Sequence, residues 1–180
     1  MLTQSTLLNY RFLSESALTS AESQPDDLDM IKFLAVVEAL NIKVLPITWQ
    51  TAREPIGWGA TSQVTEAQAT VRTSFAFKRA SEEQKQVGLP KVLRAMLNEI
   101  IVLSHPSVRM HPGVVELQGI CWDVQSVHDV WPVIVFKKSH FGNLYDFATM
   151  PAGRALSLAQ RLNLCVEIGS AVISMHANSR

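Results

Sequence analysis

The stretch Pro55 to Ala80, PIGWGATSQVTEAQATVRTSFAFKRA, constrains the chain most strongly: a glycine-rich turn leads into β-type residues that approach one lysine, Lys78. Gly57 and Gly59 stand two apart, with Ser62 and Val64 after them, so the turn can fold its backbone N–H groups around phosphate oxygens without Cβ clashes. In a dinucleotide-binding βαβ unit a helix starts directly behind such a turn. Here Val64, Thr65, Thr70, Val71, Thr73, Phe75 and Phe77 follow instead, a β-branched and aromatic population that favours short strands. The glycine turn is therefore expected inside a hairpin. In the next strand Phe75 and Phe77 point to one face and Ala76 and Lys78 to the other, because side chains alternate. A small residue beside a lysine suits a nucleotide.

Composition narrows the partners. The 180 residues fit one domain or part of one, and 47% hydrophobic with 18% charged residues is ordinary for a soluble globular core. Sixteen basic and sixteen acidic residues cancel, and no basic block is concentrated, so nucleic acid is not an expected partner. Cys121 and Cys165 lie in no ligand spacing and read as buried apolar thiols. The five histidines, His105, His111, His128, His140 and His176, are scattered and read as surface or capping residues, so no metal is expected. No apolar run is long enough to span a bilayer and no signal sequence opens the chain, which sets the expectation of a soluble, intracellular, cytoplasmic protein without membrane partners.

Along the chain, residues 1–26 mix polar residues with few periodic apolar ones and read as a flexible leader. Residues 27–43 read as a helical extension: Leu28, Ile31, Leu34, Ala35 and Leu40 recur at helical spacing behind Asp26, Asp27 and Asp29. Val44 to Trp49 is a strand, and Ser81 to Gly88 a polar connection. Pro90 opens a helix whose Leu93, Leu97, Ile100 and Ser104 share one face, with Glu99 beside that stripe. Val115, Leu117, Gly119 and Cys121 alternate as a strand, Asp123 to Asp129 forms a polar turn, and Trp131 to Phe136 is a short buried strand. Ser157 starts a helix carrying Leu158, Leu162, Cys165, Val166, Gly169, Val172 and Ile173 on one face.

Gly57-x-Gly59-x-x-Ser62-x-Val64 resembles the glycine-rich loop of eukaryotic-type protein kinases, with serine in place of the third glycine, and Phe75-Ala76-Phe77-Lys78 resembles the family's V-A-I-K strand. The helix after Pro90 is similar to the family's C helix, His111-Pro112-Gly113-Val114-Val115-Glu116-Leu117 to its H-P-x-I-V-x-L segment, and Lys137-Lys138-Ser139-His140-Phe141-Gly142-Asn143-Leu144 to its hinge. The resemblance runs from about Val44 to Arg180. It implies an α+β fold: a kinase-like N-lobe and hinge over 44–138, with a five-stranded antiparallel sheet and a C helix, then the first helices of an incomplete C-lobe over 139–180.

The same resemblance implies ATP as cofactor and a set of site residues. Lys78 and Glu99 would form an ion pair, the carboxylate keeping the ammonium charged and aimed at the α- and β-phosphates. Gly57, Gly59, Ala60, Thr61 and Ser62 would cradle phosphates, Ile56, Val64 and Ala76 would flank the adenine, and Phe136 would be the gatekeeper. The backbone of Lys137 and Ser139 would meet the adenine edge, with Lys137 where the family commonly has an acidic residue. Leu103 would be a hydrophobic spine residue. No H-R-D catalytic loop and no D-F-G magnesium motif occurs in the sequence. The reading is the ATP-binding part of a truncated serine/threonine-type protein kinase, whose partners would be a protein substrate or a partner kinase. The alternatives are a non-catalytic, pseudokinase-like module that senses nucleotide or binds a partner, and an unrelated nucleotide-binding α+β domain. Leu158, Leu162, Val166, Val172 and Ile173 would leave an exposed apolar stripe through which the chain self-associates.

Overall fold

Asp29 sets the start of the first helix, its carboxylate accepting a hydrogen bond from the Lys32 amide at 2.8 Å. The computed structural model describes residues 28–49, 55–58, 62–70 and 73–177; the expected leader lies outside them. Helix α1 spans Met30–Ala39 and ends before Asn41, whose φ of 54° is a left-handed conformation that asparagine tolerates. Its buried edge is Phe33 and Val37, flanked by Leu28 and Leu40, while Ile31 is 79% exposed. The stripe expected through Ile31 and Ala35 is thus rotated. Phe33 and Val37 lie in the same apolar cluster as Val92, Leu93 and Leu97, and that packing, not the helix's own pattern, selects the inward edge.

Among the described residues six strands follow in one sheet: β1 Val44–Trp49, β2 Pro55–Trp58, β3 Ser62–Thr70, β4 Thr73–Ala80, β5 Leu117–Ser126 and β6 Asp129–Lys137. Their spatial order is β1-β5-β6-β4-β3-β2. The expected five-stranded antiparallel sheet is therefore corrected to a mixed one, because β1 joins the β5 edge in parallel, pairing Val44 with Ile120 and Trp49 with Asp123. The cause lies upstream: α1 packs with the helix over Leu89–Ser104, so the chain leaving it reaches the sheet beside β5, where the Lys43 carbonyl accepts from the Ile120 amide at 2.9 Å. Gly119 makes this approach possible. Its φ is +153°, and a Cβ there would lie 2.3 Å from the Lys43 oxygen.

Two further expectations change. The polar connection over Ser81 to Gly88 contains a helix, α2 Glu82–Val87, capped by Ser81 Oγ, which accepts from the Gln84 amide at 3.3 Å. The polar turn expected over Asp123 to Asp129 is instead strand on both sides, with Val124 paired to Val130 and Ser126 to Asp129. Helix α3, Leu89–Ser104, begins at Gly88-Leu89-Pro90 and buries Leu93, Leu97, Ile100 and Ser104 as its spacing predicts, together with Leu103. A short turn, α4 Pro106–Arg109, then leads into β5.

After β6 come α5 Leu144–Thr149, α6 Pro151–Arg154 and α7 Leu158–Ala177. Asn143 caps α5, accepting from the Asp146 amide at 2.9 Å. Ser157 and Gln160 cap α7 reciprocally: Ser157 Oγ accepts from the Gln160 amide, and Gln160 Oε1 accepts from the Ser157 amide. Helix α7 meets the rest through Ala171, Ser170 and Met175, the last packed against the main apolar cluster. Ala171 is buried, Gly113 approaches it, and Ser170 Oγ lies 3.4 Å from His111 Nε2. No described helix is long and apolar enough to cross a membrane.

Candidate functional site

Alternation along β4 places its two faces in two cores. Ala76 and Ala80 join the cluster formed with α3, and Phe77, with Phe75 against it, joins a second cluster of Cys121, Val133 and Val135. Lys78 shares the face of Ala76 and Ala80, so it points toward α3. There its Nζ donates to Glu99 Oε2 at 2.6 Å, each side chain a little over a quarter exposed. A strand residue and a helix residue 21 positions apart thus form one charge-assisted contact. The cavity around the pair is about 60 Å³ and is lined by Lys78, Ala80, Gln84, Val92, Ala95, Met96, Glu99 and Ile134. That is space for water, not for a nucleobase.

The hairpin brings its backbone to the same lysine. Gly57 pairs with Val64 across β2 and β3, and Val64 pairs with Lys78 across β3 and β4, so the three positions form one line across the sheet. Ser62 pairs with Ala80 by the same register. Ile56 lies beside Gly57 in β2, whereas Gly59, Ala60 and Thr61 lie outside the described residues. Ala76 pairs with Phe136, which is buried, and Lys78 pairs with Ile134.

Lys137 and Ser139 stand apart from the lysine–glutamate pair. The Lys137 amide donates to the Glu116 carbonyl at 3.0 Å, and its Nζ lies 3.6 Å from Glu116 Oε2 with both side chains exposed. Any adenine contact by the Lys137 main chain would have to use its carbonyl oxygen. Both residues line a larger cavity of about 560 Å³, whose other wall is the Arg109–Glu116 segment and which neither Lys78 nor Ala76 reaches.

The cysteines differ from each other. Cys121 is buried, and burial together with the nearby Asp123 carboxylate pushes its thiol up to about 12, so it is inert at neutral pH. Cys165, expected to be buried, is exposed on α7. His105 and His111 are backbone acceptors, taking hydrogen bonds from the Ser107 and Gly113 amides at 3.3 and 3.1 Å. Burial lowers the pKa of His105.

Residues that sequence reasoning passed over gather around a buried carboxylate, on the Phe77 and Cys121 side of the sheet and not on the Lys78 side. Asp123 is fully buried, and its Oδ2 lies 3.6 Å from Arg79 Nη1 and 3.5 Å from Lys85 Nζ. Gln125 Nε2 donates to its Oδ1 at 2.6 Å, and Lys85 also lies 3.1 Å from Glu82 and over the Trp131 ring. One signal was available: Ser81-Glu82-Glu83-Gln84 is a capping pattern for a helix that would carry Lys85. The burial of Asp123 had none, because it depends on cations from two other elements.

The fold and site together define a mixed α+β domain in which a hairpin, a strand lysine and a helix glutamate converge. No family model matches the sequence, and no curated protein matches it. Among solved structures the chain is similar to an apo pseudokinase, with a TM-score of 0.48 and 16% sequence identity over 76% of this chain and 50% of that one. The chain therefore spans half the length of that protein.

Proposed function

We propose that this domain grips the phosphates of ATP through Lys78, directed by its contact with Glu99, with the Gly57–Val64 hairpin supplying backbone N–H groups over the same position. The observation that carries the proposal is the 2.6 Å Lys78–Glu99 contact, on the backbone line that also contains Gly57 and Val64. A lysine held opposite a carboxylate by a charge-assisted hydrogen bond is fixed in direction, which is what gripping a pair of phosphates requires. The motif resemblance of the glycine turn, the lysine strand and the H-P-G segment supports the same reading.

The proposed grip on phosphate comes without an H-R-D aspartate or a D-F-G aspartate in the given sequence to place a nucleophile or magnesium. The proposed activity is accordingly nucleotide binding without phosphotransfer by these residues alone, in a kinase-derived or pseudokinase-like module. Titration of a fluorescent ATP analogue should show weak binding by wild type and a loss of about tenfold or more in Lys78→Met, the size of a lost charge-assisted contact. The circular dichroism spectrum should be unchanged, since the pair is part-exposed. Equal affinity in both proteins would remove Lys78 from the site.

Helix α7 supports a partner proposal as well. Leu158, Leu162, Val166, Val172 and Ile173 are all exposed, from 47% at Val172 to 73% at Leu158, and only Ala171 is buried. Burying such side chains stabilises by roughly 1.5 to 3 kcal/mol each, so a second copy of α7 is a favourable cover. Sedimentation velocity should show self-association in wild type that falls in a Leu162→Ser, Val166→Ser double variant. A concentration-independent monomer in wild type would rule this out.

A further inference from the structure

Helix α2 has no buried residue, yet it lies between the end of β4 and the start of α3, and its Gln84 lines the cavity around Lys78 and Glu99. Apolar packing therefore does not hold it. Lys85, whose side chain is only 11% exposed, is its inward contact, and what Lys85 meets is the fully buried carboxylate of Asp123 on β5. Glu82 of the same helix lies 3.6 Å from Arg79 Nη1, and Arg79 Nη1 is likewise 3.6 Å from Asp123. The link onward from α2 to α3 is Gly88, at φ +105° and without a side-chain cap on α3.

We propose that Asp123 is a positioning residue for the lysine–glutamate pair: its buried carboxylate latches α2 through Lys85 and, by way of Glu82, Arg79, so that Gln84 of α2 is held at the edge of the Lys78–Glu99 cavity. A carboxylate removed from water is costly unless cations and donors surround it, and the three that surround this one come from β4, α2 and β5. Asp123 Oδ2 takes no hydrogen bond among the described residues, so its compensation is the two cations themselves. Removing either cation leaves charge uncompensated, and the cheapest relief is for the element without apolar anchorage to come away. That element is α2. Its departure opens the Gln84 side of the already part-exposed Lys78–Glu99 pair further to solvent, while the core side of α3, held by Val92, Leu93 and Leu97, stays packed. The latch is independent of whether a nucleotide binds.

Two readouts test it on the full chain: hydrogen exchange by mass spectrometry, and the rate at which an amine-acylating reagent modifies Lys78, with the exposed Lys137 as internal control. Lys85→Met keeps an unbranched side chain of similar length and removes the charge, Lys85→Arg restores the charge, and Asp123→Asn removes the carboxylate. In Lys85→Met, exchange over residues 82–92 and acylation of Lys78 should each rise about tenfold or more, with Lys137 acylation and exchange in β5 and β6 unchanged. Lys85→Arg should stay near wild type. Should Asp123→Asn fail to fold, the Lys85 pair decides alone. Unchanged exchange over 82–92 in Lys85→Met, or a rise spread equally over β5 and β6, overturns the latch.

Discussion

Phe33→Ala is expected to destabilise the domain by about 3 to 5 kcal/mol, the range for emptying a fully buried aromatic site that cannot collapse. Phe33 is fully buried and belongs to the cluster containing Val92, Leu93, Leu97 and Ile100, so the cavity would open between α1 and α3. A loss of that size is a large fraction of what a domain has. The matched control is Ile31→Ala on the same helix, which is 79% exposed and should change stability by no more than about 0.5 kcal/mol. Urea unfolding followed by tryptophan fluorescence measures both. Equal midpoints for the two variants would mean that α1 is an appendage and not a wall of the core.

Gly119→Ala should cost about 3 kcal/mol, an unusual result for adding one methyl group to a strand. Two penalties combine: the +153° φ disfavours an L side chain, and the new Cβ would lie 2.3 Å from the Lys43 oxygen and 3.2 Å from Leu45 Cγ. Relief requires β1 to withdraw, breaking the bond from the Ile120 amide to Lys43. The same substitution at Gly169, in the interior of α7 with nothing within 4 Å of the added Cβ, should stabilise by up to about 1 kcal/mol, since alanine is the better helix former. Opposite signs for one chemical change separate backbone crowding from propensity. A neutral Gly119→Ala would show that β1 does not depend on the close approach.

Much of the architecture was legible because it rests on local pattern. The 3.6-residue recurrence of Leu93, Leu97, Ile100 and Ser104 set the inward face of α3, and two-residue alternation set Lys78 and Ala76 against Phe75 and Phe77 on β4. Once those two faces were known, a carboxylate beside the α3 stripe was bound to be near the lysine, and Glu99 is the one that reaches it. Caps were equally local: Asp29, Asn143 and Ser157 each satisfy an amide within three residues. The short helix over Glu82–Val87 was written in its capping residues, although its polar composition suggested only a connection.

Tertiary structure decided what local pattern leaves degenerate. Val44–Trp49 carries its strand propensity in the sequence, but whether it pairs parallel or antiparallel, and with which edge, depends on where α1 packs and on a glycine more than seventy positions away. The inward edge of α1 could have run through Ile31 or through Phe33, and the surface offered by α3 chose. Asp123 read as a turn residue because a lone carboxylate belongs in water. Only the approach of Arg79 and Lys85 from separate elements makes its burial tolerable, and long-range charge compensation of that kind leaves no mark in the residues around it.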